Sequence, residues 1–202
     1  MKKLFTILAV AVMVLLAGKA TAQITLHAGY QNASYEMKYG SYSSNVNLGG
    51  FYGGATYDID LGMASIYVTP GAELSYCSFK QDVYTYDDET DTETKNQVTL
   101  DQIDLRLRLW ARWNKNLTEE MVFGIFAGPA INVGLSGKVY DDNYGGLKKV
   151  DLGLTFGAQL RYNKVGFEIG YNLGLLDRAP SEYGGDGSIK FKTLLVGLNF
   201  II

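Results

Sequence analysis

The sequence predicts an all-β protein: an eight-stranded antiparallel up-and-down transmembrane β-barrel that follows a cleaved signal peptide. Three observations carry this prediction. Apolar and polar residues alternate with period 2 in eight successive segments, which is the signature of strands with two unlike faces. The connections between those segments alternate strictly between long and short. The chain also opens with an export address.

The address comes first. Met1-Lys2-Lys3 gives a positive start, Leu4 to Ala17 is an almost wholly apolar run, and Ala20-Thr21-Ala22 offers a cleavage site before Gln23. A membrane-anchoring helix would want about 20 apolar residues and would not end in such a site. No cysteine lies near the site, so a lipid-anchored protein is not expected. The expected domains are therefore a signal peptide over 1–22 and a barrel over 23–202. Losing Lys2, Lys3 and Lys19 moves the formal net charge from −3 to −6.

The clearest strand is Val98–Trp113. Ile103, Leu105, Leu107, Leu109 and Ala111 take one face, and Asp104, Arg106, Arg108, Trp110 and Arg112 take the other. Val150–Tyr162, Val165–Leu175, Ala64–Tyr76 and Met121–Val133 repeat the pattern, and Lys190–Ile202 closes the chain. Ile24–Tyr35 and Asn47–Ile59 also read as strands, with a parity that the sequence leaves open. Asp58–Gly62, Asn114–Glu120 and Asn163-Lys164 are read as short turns. Glu36–Val46, Lys80–Gln97, Gly134–Lys149 and Leu176–Ser188 are read as long polar loops. A barrel with one bare rim and one looped rim has the asymmetry of outer-membrane barrels.

The apolar face should meet lipid. An eight-stranded interior is barely wide enough for side chains to fill it, so Phe, Leu and Ile in every row do not fit inside. Gly, Ser, Thr and a few paired charges do. The soluble inside-out barrel is therefore the weaker alternative. Composition agrees once it is read this way. The mean hydropathy of −0.01 arises because strongly apolar and strongly polar positions cancel. The 24 glycines, against an average near 7%, suit a cramped lumen, and Tyr35, Tyr57, Tyr76, Trp110, Trp113, Tyr140 and Tyr162 would suit interfacial girdles.

Counting back from Ile202, Phe200, Leu198, Val196 and Leu194 share one face, so the chain ends inside an amphipathic strand. This ending resembles the terminal signal read by the barrel-assembly machinery, except that the aromatic stands two residues early, at Phe200. Gly50-Phe51-Tyr52-Gly53-Gly54-Ala55-Thr56-Tyr57 and Thr69-Pro70-Gly71-Ala72-Glu73-Leu74-Ser75-Tyr76 resemble the second and third strands of the outer membrane protein β-barrel domain family (PorT-like, porin-like), of OmpA/OmpX-type architecture. The resemblance implies a fold and a place in the outer membrane of a Gram-negative cell. It implies no reaction.

The candidate sites are few. One Cys, Cys77, cannot make an internal disulfide or a cysteine-rich zinc site, and it is read as a free thiol near the end of strand three. His27 is the lone imidazole, expected near the periplasmic end of strand one as a lumen or rim residue without triad partners. Glu73, Asp104, Arg106, Arg108, Arg112, Asp151, Arg161 and Glu168 share the inner face, either as a structural salt-bridge network or as a gate. The carboxylates of Lys80–Gln97 lack the spacing of a calcium loop and read as a solvated segment. Gly49–Gly54 precedes no helix and is better explained by packing than by phosphate binding.

A pI near 5.2 argues against nucleic acid as a partner. No catalytic residue, metal or cofactor is expected. The expected partners are outer-membrane lipid and lipopolysaccharide, the assembly machinery through the C-terminal strand, and an unidentified protein or surface ligand at the loops. The leading expectation is a non-enzymatic barrel with a structural or surface-interaction role. A narrow gated pore for small solutes is the alternative, and a lipid-modifying enzyme using His27 is a distant third.

Overall fold

In the computed structural model, residues 23–39, 42–63, 65–87, 92–139, 142–143, 149–178 and 187–202 are described. The expected signal peptide, residues 1–22, lies outside them. The described residues contain no helix. They form eight long strands: β1 (Gln23–Tyr39), β2 (Tyr42–Met63), β3 (Ile66–Asp87), β4 (Thr92–Asn116), β5 (Met121–Val139), β6 (Val150–Tyr162), β7 (Val165–Gly174) and β8 (Gly187–Ile201). A two-residue segment, Asp142–Asn143, folds back on β5. Every long strand pairs antiparallel with its neighbours in sequence. The first and last strands meet along a ladder from Thr25↔Ile201 to Tyr39↔Gly187, so the barrel is closed.

Two prolines mark the sheet without shifting it. Pro70 pairs with Leu109 on one side, while the β2–β3 ladder skips from Thr56↔Gly71 to Ile59↔Val68 on the other. Pro129 pairs with Leu154, and the β4–β5 ladder skips from Arg108↔Ala130 to Ala111↔Ala127. Each proline lacks the N–H that its silent side would use. The register resumes unchanged past both.

The outer surface over most of the barrel's height is apolar. On β4, Ile103, Leu105, Leu107, Leu109, Ala111 and Trp113 point outward in unbroken succession, between the buried inward residues. Six such residues on a tilted strand cover roughly 25 Å, the height of the lipid-facing band of such barrels. Phe51, Leu74, Phe156, Phe167, Leu198 and Phe200 belong to the same band, each more than two-fifths exposed.

Above this band the polarity of the two faces exchanges. On β1 the outward Ile24, Leu26 and Tyr30 give way to Asn32, Ser34 and Glu36, while the inward Thr25, His27 and Gln31 give way to Ala33 and Tyr35. On β8, outward Leu198, Val196 and Leu194 give way to Lys192 and Lys190, and inward Asn199 gives way to Phe191. Ala33, Tyr35, Leu48, Cys77 and Phe191 form one buried apolar cluster, with Val46, Phe79 and Ile189 packed on it. Most inward positions are thus polar or glycine where the wall faces lipid, with Tyr52, Trp110, Phe126 and Leu195 among them, and an apolar cluster fills the part where the wall faces water.

Several expectations change here. Glu36–Val46, Lys80–Gln97 and Gly134–Lys149 are not loops for most of their length. β1 runs to Tyr39, β3 to Asp87 and β5 to Val139, because hydrogen-bonded pairing propagates along the ladder after the lipid-facing pattern stops. The turn read at Asp58–Gly62 lies a little later: β2 runs to Met63, and the left-handed residues are Gly62 (φ 68°) and Ser65 (φ 66°). Tyr35 and Trp110 are not girdle aromatics. Both point inward and are buried, at 4% and 1% exposure. Tyr76, Trp113 and Tyr162 do face outward, and Tyr140 lies outside the described residues. Cys77 is a free thiol, as read, but it is buried on the inner face and accepts a hydrogen bond from Gln31 Nε2 at 2.8 Å.

The apolar cluster makes a quantitative prediction. Phe191→Ala removes a fully buried ring, which typically costs about 3–5 kcal/mol. Urea unfolding in lipid vesicles should show that loss. The unheated protein should still migrate as a folded barrel on an SDS gel.

Candidate functional site

The most elaborate chemistry lies inside the barrel, and the register explains how it assembles. One lateral row runs His27↔Gly54↔Glu73↔Arg106↔Asn132 across β1 to β5. All its members point inward, and Gly54 leaves room between the histidine and the glutamate. Arg106 donates from Nη1 to Glu73 and from Nε to Asn132 Oδ1 at 2.8 Å. Arg108, one inward position up β4's sequence, places Nη2 2.7 Å from Glu73 Oε2. The same nitrogen lies 2.9 Å and 2.8 Å from the two ring nitrogens of His27.

A second row runs beside this one, one inward position along. It runs Glu168↔Gly197↔Gly29↔Tyr52 over β7, β8, β1 and β2. Neither glycine tolerates a side chain: a Cβ on Gly29 would lie 2.8 Å from Tyr52 Cε1, and one on Gly197 would strike the tyrosine hydroxyl. Tyr52 therefore lies across both strands and donates its hydroxyl to Glu168 Oε1 at 3.0 Å. His27 Nδ1 is 3.4 Å from the same oxygen. The His27 ring thus lies between one guanidinium and two carboxylates.

Aromatic rings complete the packing. The Arg108 guanidinium sits 3.9 Å above the Trp110 ring, and Trp110 stacks on Phe126 with centroids 4.2 Å apart. Phe126 in turn lies over Gly157 and Gly170 of the next two strands. Tyr52 and Phe126 share one device: each large inward ring is accommodated by glycines on the two strands beside it.

The eight charged residues singled out in the sequence are all on or near the inner face, but they do not form one network. Glu73, Arg106, Arg108 and Glu168 belong to the cluster just described. Arg112 forms a separate pair with Asp58, donating from Nη1 at 2.7 Å and 3.0 Å, and Thr69 Oγ1 donates to Asp58 at 2.7 Å. Asp104 takes a hydrogen bond from Gln102 Nε2 at 2.5 Å. Asp151 takes one from the Leu176 backbone N–H at 3.1 Å, and Arg161 is only partly buried, towards the end of β6.

Sequence reasoning missed three members, Tyr52, Asp58 and Arg178. Of the two places read for His27, lumen or rim, it takes the lumen, at the centre of the cluster and 5% exposed, and its carboxylates come from β3 and β7. Among the described residues no serine or threonine hydroxyl bonds to it. Tyr52 and Asp58 went unassigned because the parity of β2 was open. Arg178, 1% exposed near the outer mouth, lies in the segment read as a polar loop, with its guanidinium 5.8 Å from the Phe191 ring centroid. Chemically the arrangement offers guanidiniums matched by carboxylates and held by packed rings. That is a set of charges built to stay buried and paired.

A different ion pair lies outside, where β1 and β8 meet above the lipid-facing band. Lys192 Nζ donates to Glu36 Oε2 at 2.5 Å and Lys38 Nζ lies 2.9 Å from Glu36 Oε1. The hydrogen bond from Lys192, with help from Lys38, holds the Glu36 carboxyl well below its ordinary 4.5, at about 2. The shift is downward, so the pair stabilises the fold above about pH 4.5, and its contribution is lost as pH falls from there towards about 2. Wild type should unfold at higher urea than Glu36→Gln near neutral pH, and the two midpoints should converge as the pH approaches 2.

The inner cluster predicts a larger effect. Arg106→Ala leaves Glu73 with half its partners in a water-poor site, and breaking a buried pair in this way costs about 3–5 kcal/mol. Glu73→Gln together with Arg106→Gln should cost at least as much as Arg106→Ala alone, since it also strips Arg108 of the carboxylate that its Nη2 meets at 2.7 Å. Equilibrium unfolding of the three proteins decides the order.

Comparison with known proteins agrees with the fold. The chain is similar to the attachment invasion locus protein Ail of Yersinia pestis, solved with the heparin analogue sucrose octasulfate, at 13% identity and a TM-score of 0.47 over 90% of this chain and 99% of that one. It is similar to Neisserial surface protein A at 10% identity and a TM-score of 0.48, over 89% and 97% of the two chains. It is also similar to OprG of Pseudomonas aeruginosa at 12% and 0.47, over 92% and 98%. No curated protein matches the chain in sequence. The family profile of the outer membrane protein beta-barrel domain matches residues 17–178, which span seven of the eight strands. The chain belongs to the outer membrane protein beta-barrel domain family, and its place is the outer membrane.

Proposed function

We propose that this barrel is a non-enzymatic surface-interaction protein whose working part is the outer hairpin of β3 and β4. One observation carries the reading. The β3–β4 ladder continues to Asp87↔Thr92, whereas β2 leaves β3 at Gly49↔Ser78 and β5 leaves β4 at Leu100↔Val139. A two-stranded ribbon therefore extends beyond its neighbours, and among the described residues both its edges lack a strand partner. Unpaired strand edges are ready templates for another chain. The ribbon strands carry Asp82, Asp87 and Glu93 against Lys80 and Lys95, and Asp88, Glu89 and Asp91 lie between them in the sequence, outside the described residues, so repulsion discourages a second copy and a basic extended segment is the favoured guest.

The lumen supports the same reading. Glu73 is paired with Arg106 and Arg108 and Asp58 with Arg112, Trp110 is stacked on Phe126, and an apolar cluster lies across the outer part. A narrow gated pore would have to part all three layers. The lipid-modifying reading is disfavoured because His27 faces the interior, away from any acyl chain.

Planar-bilayer recording and peptide binding test the proposal together. The purified barrel should stay silent across the bilayer, and a lysine-rich β-forming peptide should bind it. A barrel shortened by residues 82–97 should fold normally and lose that binding. Discrete channel openings, abolished by Glu168→Ala, would favour the pore instead, and undiminished peptide binding by the shortened barrel would remove the hairpin from the reading.

A further inference from the structure

Outside the barrel, the seam between β8 and β1 carries a set of lysines that the lumen does not use. Lys190 and Lys192 follow Leu194 up the outer face of β8, and Lys38 stands on the same face of β1. Lys190 is paired in register with Glu36, whose carboxylate also holds Lys38 and Lys192. Two ammonium groups thus hold one carboxylate, and with Lys190 in register beside them the four side chains sum to +2. The side chains of Lys38 and Lys192 remain 57% and 38% exposed while bonded to it. Their height is fixed by the exchange of polarity on β8: Leu194 faces hydrocarbon, and Lys192 stands one outward row higher, about 6.6 Å along the strand.

Directly below lies an apolar groove of about 500 Å³ on the lipid-facing wall. Ile125, Phe156, Ala158, Ile169, Tyr171 and Leu194 line it. It exists because Ala158 is small. In its row Ile125 and Ile169 flank it, and the row above presents Phe156, Tyr171 and Leu194. From Lys192 the path into the groove runs past Leu194 and the Tyr171 side chain.

We infer that Lys38, Lys190 and Lys192, together with the groove at Ala158, form a binding site for one phosphorylated, multiply acylated lipid of the outer leaflet. The ammonium groups receive its phosphate at the interface, and one acyl chain lies along the groove. Charge selects the occupant. Basic residues at a membrane surface attract anionic headgroups by an amount equivalent to roughly fivefold in affinity for each lysine, and a zwitterionic headgroup gains little from a net charge of +2. Glu36 keeps the lysine chains extended towards one point, which lowers the conformational freedom lost on binding.

Native mass spectrometry of the intact, unheated barrel tests this with bis-phosphorylated lipid A as the probe and its dephosphorylated form as comparison. Wild type should retain one equivalent of the phosphorylated lipid in preference to the other. Lys190→Gln with Lys192→Gln should lower that retention roughly twentyfold to thirtyfold. Ala158→Phe, which fills the groove, should lower retention of both lipids. Lys164→Gln, at the β6–β7 turn on the opposite rim, should match wild type, and all variants should keep the gel mobility of a folded barrel. Equal retention by the double lysine variant, an equal loss with Lys164→Gln, or no preference for the phosphorylated lipid would each overturn the assignment.

Discussion

In hydrocarbon no water is present to satisfy a free backbone N–H or C=O, so a strand edge exposed there is prohibitively unfavourable. The fifteen register pairs that join β1 to β8 answer that constraint, and the rest of the molecule follows from it. Closing eight strands makes a tube too narrow to stay empty. Its wall is apolar outside because lipid is there. Its inside must then be filled by what remains of each alternating strand, and those remaining positions are mostly polar or glycine, with a few large rings among them.

Filling such a tube with charges is acceptable only if they are matched. The lumen solves this by register. Glu73 stands opposite Arg106 because β3 and β4 pair that way, and His27 and Asn132 extend the same row on either side. The aromatic residues solve a different problem, that of volume. Tyr52 lies over Gly29 and Gly197, and Phe126 over Gly157 and Gly170, so each large ring takes the space of two absent side chains. Four of the 24 glycines are therefore an imprint of two inward rings.

How much of this was legible depends on the strand. β4 and β6 announce their faces because their lipid-facing alternation is long and strong. β1 and β2 do not, and the reason is now physical: their apolar parity reverses partway, from Tyr30 to Ala33 on β1 and from Phe51 to Leu48 on β2. A pattern averaged over such a strand has no single phase. The same reversal hid Tyr35 inside, turned most of three supposed loops into strand, and concealed which way Tyr52 and Asp58 point. Trp110 was visible on the charged face of β4, yet its aromatic character alone suggested the interface. Only the neighbouring Arg108 and the facing Phe126 explain why it is buried. The separation of the inner charges into two groups was beyond the sequence, since pairing across strands depends on register and not on spacing along the chain.

The reversal of polarity also acts as a waterline written into the covalent chain. Raising the barrel by one outward row would drag Leu194 into water, and lowering it would press Lys192 and Ser34 into hydrocarbon. Strands hydrogen-bonded to both neighbours cannot tilt independently to absorb a mismatch, as a lone helix can. In a thicker bilayer the lipid would have to thin around the barrel instead. The protein is thereby matched to a membrane whose hydrocarbon is thinner than average, which is a property of the bacterial outer membrane.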